Sequence, residues 1–303
     1  MEVKRWTVQS LVKKLSNRPS DETQSETIAE LRLLSKHDDH SRLLIAEAGA
    51  IPFLVSALYS PNPTTQLNAI TTLLNLSILP ENRTQLLSAH GFLDALTHLL
   101  SHPLSPFSLQ NGAATIHSIL LTEAYRPIIG DKPNITSALL NAIRRPTSPR
   151  SIKDSLKALF ALSLYPLNRP KLVEQGIVPV LFSLLINSHS NGLIEDASAV
   201  LAQVAGCYES GEAFRKVSGI RVLVDLMETG SIRARENAAS ALLNLAQSAG
   251  EKVIDEIREI ENSSAVITTL VGSGSERGRS KASALLTMLL VQERFYVDDS
   301  LVF

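Results

Sequence analysis

Apolar residues fall along this chain at helical spacing, and the pattern starts over about every 42 residues. NAITTLLNLS at 68–77 returns as NAASALLNLA at 237–246. With Asn75 as reference, and an apolar residue required two before and one after, the copies place Leu33, Asn75, Ser118, Ala161, Gln203, Asn244 and Thr287 in one column. The column two earlier reads Leu31, Leu73, Ile116, Leu159, Leu201, Leu242 and Leu285. The column one later reads Leu34, Leu76, Ile119, Leu162, Val204, Leu245 and Met288. Both are apolar in every copy, so each long helix offers one continuous stripe to a buried spine.

Between the long helices runs a second recurrent phrase: AEAGAIPFLVSAL, SAHGFLDALTHLL, VEQGIVPVLFSLL and RKVSGIRVLVDLM. Gly49, Gly91, Gly176 and Gly219 are expected to form corners where one short helix turns into the next, because glycine takes a left-handed backbone without strain. The copy near 133 has Pro133 in place of the glycine, and its turn must be built differently. Each unit is thus a short helix, a corner, a second helix, a polar loop such as SPNPTT or ETGSIR, and a long third helix.

AEAGAIPFLVSAL, QLNAITTLLNLSILPENR and ETGSIRARENAASALLNLA resemble armadillo repeats, and are similar to the armadillo region of plant U-box ubiquitin ligases. SGSERGRSKASALLTMLL is similar to the last repeat of those proteins. The resemblance implies an all-α fold, a right-handed superhelical armadillo solenoid of about seven repeats of roughly 42 residues. Residues 1–35 would hold the second and third helices of an incomplete first repeat, 36–290 the array, and 291–303 a C-terminal tail. In the ligases a U-box precedes the repeats and recruits the ubiquitin-conjugating enzyme. Nothing of that length stands ahead of the array here, so the expectation is either a relative lacking the U-box or a fragment of a longer ligase.

Composition adds mainly exclusions. A formal net charge of −1 gives no whole-molecule attraction to nucleic acid or anionic membrane. No basic stripe interleaved with aromatics points to nucleic acid, and no long apolar run to membrane insertion. Cys207 is the one cysteine, which removes an intrachain disulfide and suits a reduced compartment, cytoplasmic with or without a nuclear pool. HDDH at 37–40 is the nearest approach to a metal cluster, but Asp38 or Asp39 reads better as a helix N-cap. No cofactor, metal site or set of nucleophile, base and orienting acid can be assembled, so no enzymatic activity is assigned to this chain.

The remaining expectation is binding. The column seven before the reference reads Glu26, Asn68, Asn111, Asp154, Asp196, Asn237 and Ser280, seven polar residues expected to share a solvent-facing wall. In armadillo proteins that grip extended peptides, asparagines near the end of the third helix bond the ligand backbone. By that resemblance Asn75 and Asn244 match, and Gln203 is a substitute. The alternative is that these amides cap neighbouring backbone groups within the stack. Arg150, Asp154 and Lys157, with Arg233 and Asn237, supply charge for an acidic or phosphorylated segment, and Arg144 and Arg145 lie nearby. The expected partner-binding groove is therefore Asn68, Asn75, Asn111, Arg150, Asp154, Lys157, Asp196, Gln203, Arg233, Asn237 and Asn244. A protein or extended peptide is the expected occupant, with self-association through the open N-terminal end a further expectation. The function this implies is a scaffold in ubiquitin-dependent signalling; the alternative is the substrate-recognition part of a ligase whose U-box lies outside the chain.

Overall fold

The computed structural model describes residues 2–145 and 148–299, and among the described residues there are twenty helices and no strand. The chain forms two compact units, Met1–Leu162 and Ser163–Phe303. The first holds α1 (Glu2–Ser16) and α2 (Asp21–Ser35), then three complete three-helix repeats. These are α3 (Asp39–Glu47), α4 (Ile51–Ala57) and α5 (Pro63–Ser77), α6 (Pro80–Ser88), α7 (Phe92–Ser101) and α8 (Pro106–Leu120), and α9 (Tyr125–Gly130), α10 (Pro133–Arg144) and α11 (Pro149–Ser163). The second unit holds three more: α12 (Asn168–Glu174), α13 (Ile177–Asn187) and α14 (Asn191–Val204), α15 (Ser210–Lys216), α16 (Gly219–Thr229) and α17 (Ile232–Ala249), and α18 (Glu251–Glu259), α19 (Ser263–Ser273) and α20 (Glu276–Asp299). Helix α20 runs on past residue 290, where a tail was expected to begin, and 300–303 of that tail lie outside the described residues.

Six of the seven third helices start the same way for the same reason; in α14 the serine at that position, Ser190, makes no such bond. A helix's first turn has unpaired N–H groups, and a short polar residue just ahead of it accepts from them. Ser20, Asn62, Ser105 and Ser231 do this for α2, α5, α8 and α17. Ser148 accepts from the Ser151 N–H at 3.1 Å, and Ser275 from the Gly278 N–H at 3.1 Å. These caps stand thirteen residues before the reference column in the first six repeats but twelve before Thr287. The equivalent of Asn244 in the last repeat is therefore Met288, one residue later than the apolar pattern alone suggests. The spine itself is as expected: Leu31, Leu73, Ile116, Leu159, Leu201, Leu242 and Leu285 are all fully buried.

The ends of the third helices are closed by a device the apolar pattern does not show. The carbonyls of a helix's last turn have no partner within the helix. An arginine from the next short helix supplies one. Arg42 donates to the carbonyls of Ser35 (2.8 Å) and Lys36 (2.9 Å), and Arg83 to those of Ser77 (2.9 Å) and Ile78 (3.2 Å). Arg126 bonds Leu120 (3.4 Å) and Arg169 bonds Ser163 (3.0 Å). In the following repeat the Ser210 hydroxyl takes the role, donating to the Val204 carbonyl. Arg83 is nearly buried and also reaches Thr122 Oγ1 at 3.2 Å. Arg83→Met keeps the bulk and removes the charged donors, and should cost about 2 kcal/mol, read as a lower urea midpoint.

The corners divide in two. Gly49, Gly91 and Gly176 take φ of +81°, +72° and +80°, the left-handed turn the sequence implied. Gly219 does not. The left-handed residue there is Ser218 (φ +52°), as Asn262 (φ +62°) is in the last repeat, and Gly219 is the first residue of α16. What excludes a side chain at Gly219 is the Phe182 ring, 2.5 Å from where a Cβ would stand. At the Pro133 copy, Asp131 and Lys132 turn the chain with negative φ, and Pro133 opens α10.

Candidate functional site

Along α5 and its C-cap residue, Leu67, Thr71, Leu74 and Ile78 are exposed or half-exposed and stand four, three and four residues apart. That spacing is one helical stripe. With Thr64 ahead of them they sit 2, 5, 9, 12 and 16 residues after the N-cap. The same stations give Phe107, Gln110, Ala114, His117 and Leu121 from α8, and Arg150, Lys153, Lys157 and Phe160 from α11. Phe107 is 65% exposed, Leu121 54% and Ile78 48%. In the second unit the stripe is smaller and more mixed: Gly192, Glu195 and Ala199 from α14, with Arg233, Glu236 and Gln247 from α17.

The expected wall lies one position away from this stripe, and that shift of about 100° changes its meaning. Asn68, Asp154 and Asn237 are buried rather than solvent-facing. Their column meets the seam between successive third helices. Asn68 accepts from Arg32 Nη1 at 3.1 Å, Asn111 donates to Thr71 Oγ1 at 2.8 Å, and Asn237 donates to the Glu195 carbonyl (3.0 Å) and Ser198 Oγ (3.1 Å). Asp196 is half-buried. Glu26 is exposed because no third helix precedes α2 among the described residues. Ser280 is exposed in the last repeat, where the corrected register moves the seam column to Lys281.

The reference amides face the same seam. Asn75 Nδ2 donates to Ser35 Oγ at 3.0 Å, and Asn244 Nδ2 to the Ala202 carbonyl at 2.8 Å. Gln203 Oε1 accepts from Arg169 Nη2 at 3.3 Å. All three stay half-exposed, so each keeps an edge toward the stripe. Of the two readings weighed for these amides, bonding within the stack is the one the geometry displays.

The charged residues are placed differently. Asp154 lies beneath the stripe and takes Arg150 Nε at 3.5 Å and Lys157 Nζ at 3.3 Å. Arg233 Nη1 stands 3.5 Å from a Glu195 carboxylate oxygen. Burial, and then the charge of Lys157, push His117 below the ordinary histidine range, so the ring on the α8 stripe is neutral at pH 7. Phe107, Lys153 and Phe160 were missed by the sequence reading; counting from the N-cap serine instead of the apolar core would have found them.

Other chemistry is sparse. Asp38 caps α3, accepting from the Ser41 N–H at 3.2 Å and from Lys4 Nζ at 2.9 Å. Its bonds with Ser41 and Lys4 hold its carboxyl well below the usual carboxylate range. Among the described residues no group of three or more His, Cys, Asp or Glu side chains converges. Burial pushes the Cys207 thiol up, away from thiolate reactivity. A shallow cavity of ≈ 260 Å³ beside Arg235 and Asn262 is smaller than an ordinary small-molecule site. No helix among the described residues is long and apolar enough to cross a membrane.

Stacked three-helix repeats with these caps and corners match known proteins. Residues 7–300 fit the family described as Plant U-box protein ARM repeat region. The chain belongs to this family. U-box domain-containing protein 16 of Arabidopsis thaliana is 33% identical over 293 residues, covering 95% of this chain and 41% of that protein. U-box domain-containing protein 1 of Medicago truncatula is 33% identical over 286 residues, covering 94% and 41%. The chain thus spans about two fifths of the length of these relatives. Among solved structures, an engineered protein superposes with a TM-score of 0.81 at 25% identity, covering 93% of this chain and 68% of that one. A designed armadillo repeat protein in complex with the peptide (KR)4 gives 0.67 at 22% identity, covering 78% and 99%.

Proposed function

We propose that this armadillo region is a scaffold that holds a partner protein on the third-helix stripe, as the docking part of a ubiquitin-ligase system. One observation carries the reading: in the first unit successive third helices leave the same stations open, while most of the residues on either side are closed into the seams. A designed protein of the same fold is described in complex with a peptide, which supports the docking of an extended segment. The relatives' U-box names support the ubiquitin connection. A row of side chains along successive helices suits a protein segment better than a small molecule.

Affinity capture from plant extract tests this directly. Phe107→Glu with Leu121→Glu changes the stripe, while Asp94→Lys changes an exposed position of α7. The stripe variant should lose the captured partners, and the α7 variant should keep them, with equal helicity by circular dichroism. Retention of every partner by the stripe variant would place the docking surface elsewhere. Chain formation when this polypeptide alone is given ubiquitin, activating enzyme and conjugating enzyme would make it a ligase in its own right.

A further inference from the structure

Away from the third-helix stripe, the second helix of one repeat ends in a pair of histidines. His98 lies in the last turn of α7, and His102, four residues on, is its C-cap. Residues four apart on a helix rise from the same face, and here the two rings meet, with centroids 4.9 Å apart and planes inclined by 31°. Tyr59, two residues past the end of α4 in the preceding repeat, lays its ring 4.7 Å from that of His98. The three rings form a short ladder in which His102 is exposed and His98 half-buried. The His102 ring is also fixed chemically. Its Nδ1 lies 3.3 Å from the His98 carbonyl oxygen. A carbonyl only accepts, so Nδ1 carries the proton and Nε2 of the neutral ring keeps its lone pair.

We propose that His98 and His102 chelate a divalent cation of the zinc and copper(II) class, with water in its remaining positions. Two histidines four residues apart on one helix face are a recurring way to hold zinc. With metal–nitrogen bonds of about 2 Å, two imidazoles on one tetrahedral ion have centroids about 5 Å apart, a separation the pair already has. Loading the site asks for ring rotation and no backbone movement. The carbonyl behind His102 is the usual support of a ligating imidazole: it fixes the tautomer and makes the opposite nitrogen more basic. No third His, Cys, Asp or Glu converges on the pair among the described residues, so the ion keeps open positions. Magnesium and calcium, which want oxygen ligands, gain little from two imidazoles. The histidines of the HDDH stretch are less well supplied, because Asp38 is committed to Ser41 and Lys4, and Asp39 to Arg42.

Isothermal titration calorimetry with the whole chain, free of any affinity tag, tests the proposal with the metals alone. Zinc chloride should bind as one equivalent per chain, and magnesium chloride should give no binding heat. Copper(II) chloride should bind more tightly than zinc through the same pair. His98→Gln and His102→Gln, each alone, should weaken zinc at least about tenfold, and the two together should abolish the equivalent. His37→Gln with His40→Gln should leave the titration unchanged. Zinc should also raise the thermal midpoint of the parent chain and leave that of the His98→Gln, His102→Gln variant where it was. Neither side chain is buried, so the circular dichroism of that variant should match the parent. Absence of zinc binding by the parent overturns the proposal, as does magnesium binding as tight as zinc. Zinc retained by the His98→Gln, His102→Gln variant shows adventitious binding elsewhere and overturns it too. Loss of zinc in the His37→Gln, His40→Gln variant overturns it in favour of the HDDH stretch.

Discussion

Gly219→Ala should destabilise the second unit by about 3 kcal/mol, and Gly219→Val by more, although no left-handed backbone demands a glycine here. Its Cβ would stand 2.5 Å from Cζ and 2.7 Å from Cε2 of Phe182, distances no packed core accepts. Phe182 cannot step aside. It is fully buried, with its ring edge-on to Phe214 at 5.2 Å and 87°. The relief must come from α16 moving off the second helix of the preceding repeat, which opens contacts along both. A double-mutant cycle isolates the cause: in a Phe182→Ala background, itself costing about 3–5 kcal/mol, the added methyl should cost little or even fill space. Were Gly219→Ala to leave the thermal midpoint unchanged in the parent chain, the close approach would not be what selects glycine here.

Asn237→Ala together with Asn244→Ala should also lower stability, by about 3 kcal/mol, and this expectation separates two roles for the amides. Asn237 is nine-tenths buried, and its Nδ2 serves the Glu195 carbonyl and Ser198 Oγ; Asn244 serves the Ala202 carbonyl. Truncation leaves those acceptors without their donors inside the seam between α14 and α17. The loss appears as a lower thermal midpoint before any partner is added. A pair of amides reserved for a ligand backbone would behave the other way, leaving melting unchanged and weakening binding. Measuring both quantities on one double variant decides the matter.

The repeat was legible because it is written in residues whose burial is obligatory. A leucine at each spine position is fully buried in all but one copy, and in that copy an isoleucine takes the place, so the column survives in the letters. The three left-handed glycines were legible for a similar reason, since few other residues tolerate that backbone. Gly219 was read as a fourth corner because a glycine before an apolar helix looks alike whether its backbone or its neighbour demands it. The arginines at 42, 83, 126 and 169 also recur at the repeat period, yet a charged residue in a short helix looks like solvent-facing text until the carbonyls it closes are seen.

The candidate site was legible only to within one residue. A polar column beside an apolar spine can face solvent or the next repeat, and one step along a helix turns a side chain by about 100°. Asn68, Asp154 and Asn237 fell on the seam, while the open stations one residue earlier, Leu67, Lys153 and Glu236, held what solvent sees.

By itself the amino-acid sequence determined that the chain is all-α, that it repeats about every 42 residues, and which leucines make the spine, because helical period and burial are local properties repeated many times over. Which polar residues were closed into seams and which stayed open was decided only by stacking one repeat on another. That stacking couples residues some 40 positions apart, such as Asn111 with Thr71 and Asn237 with Ser198, through contacts no single repeat contains.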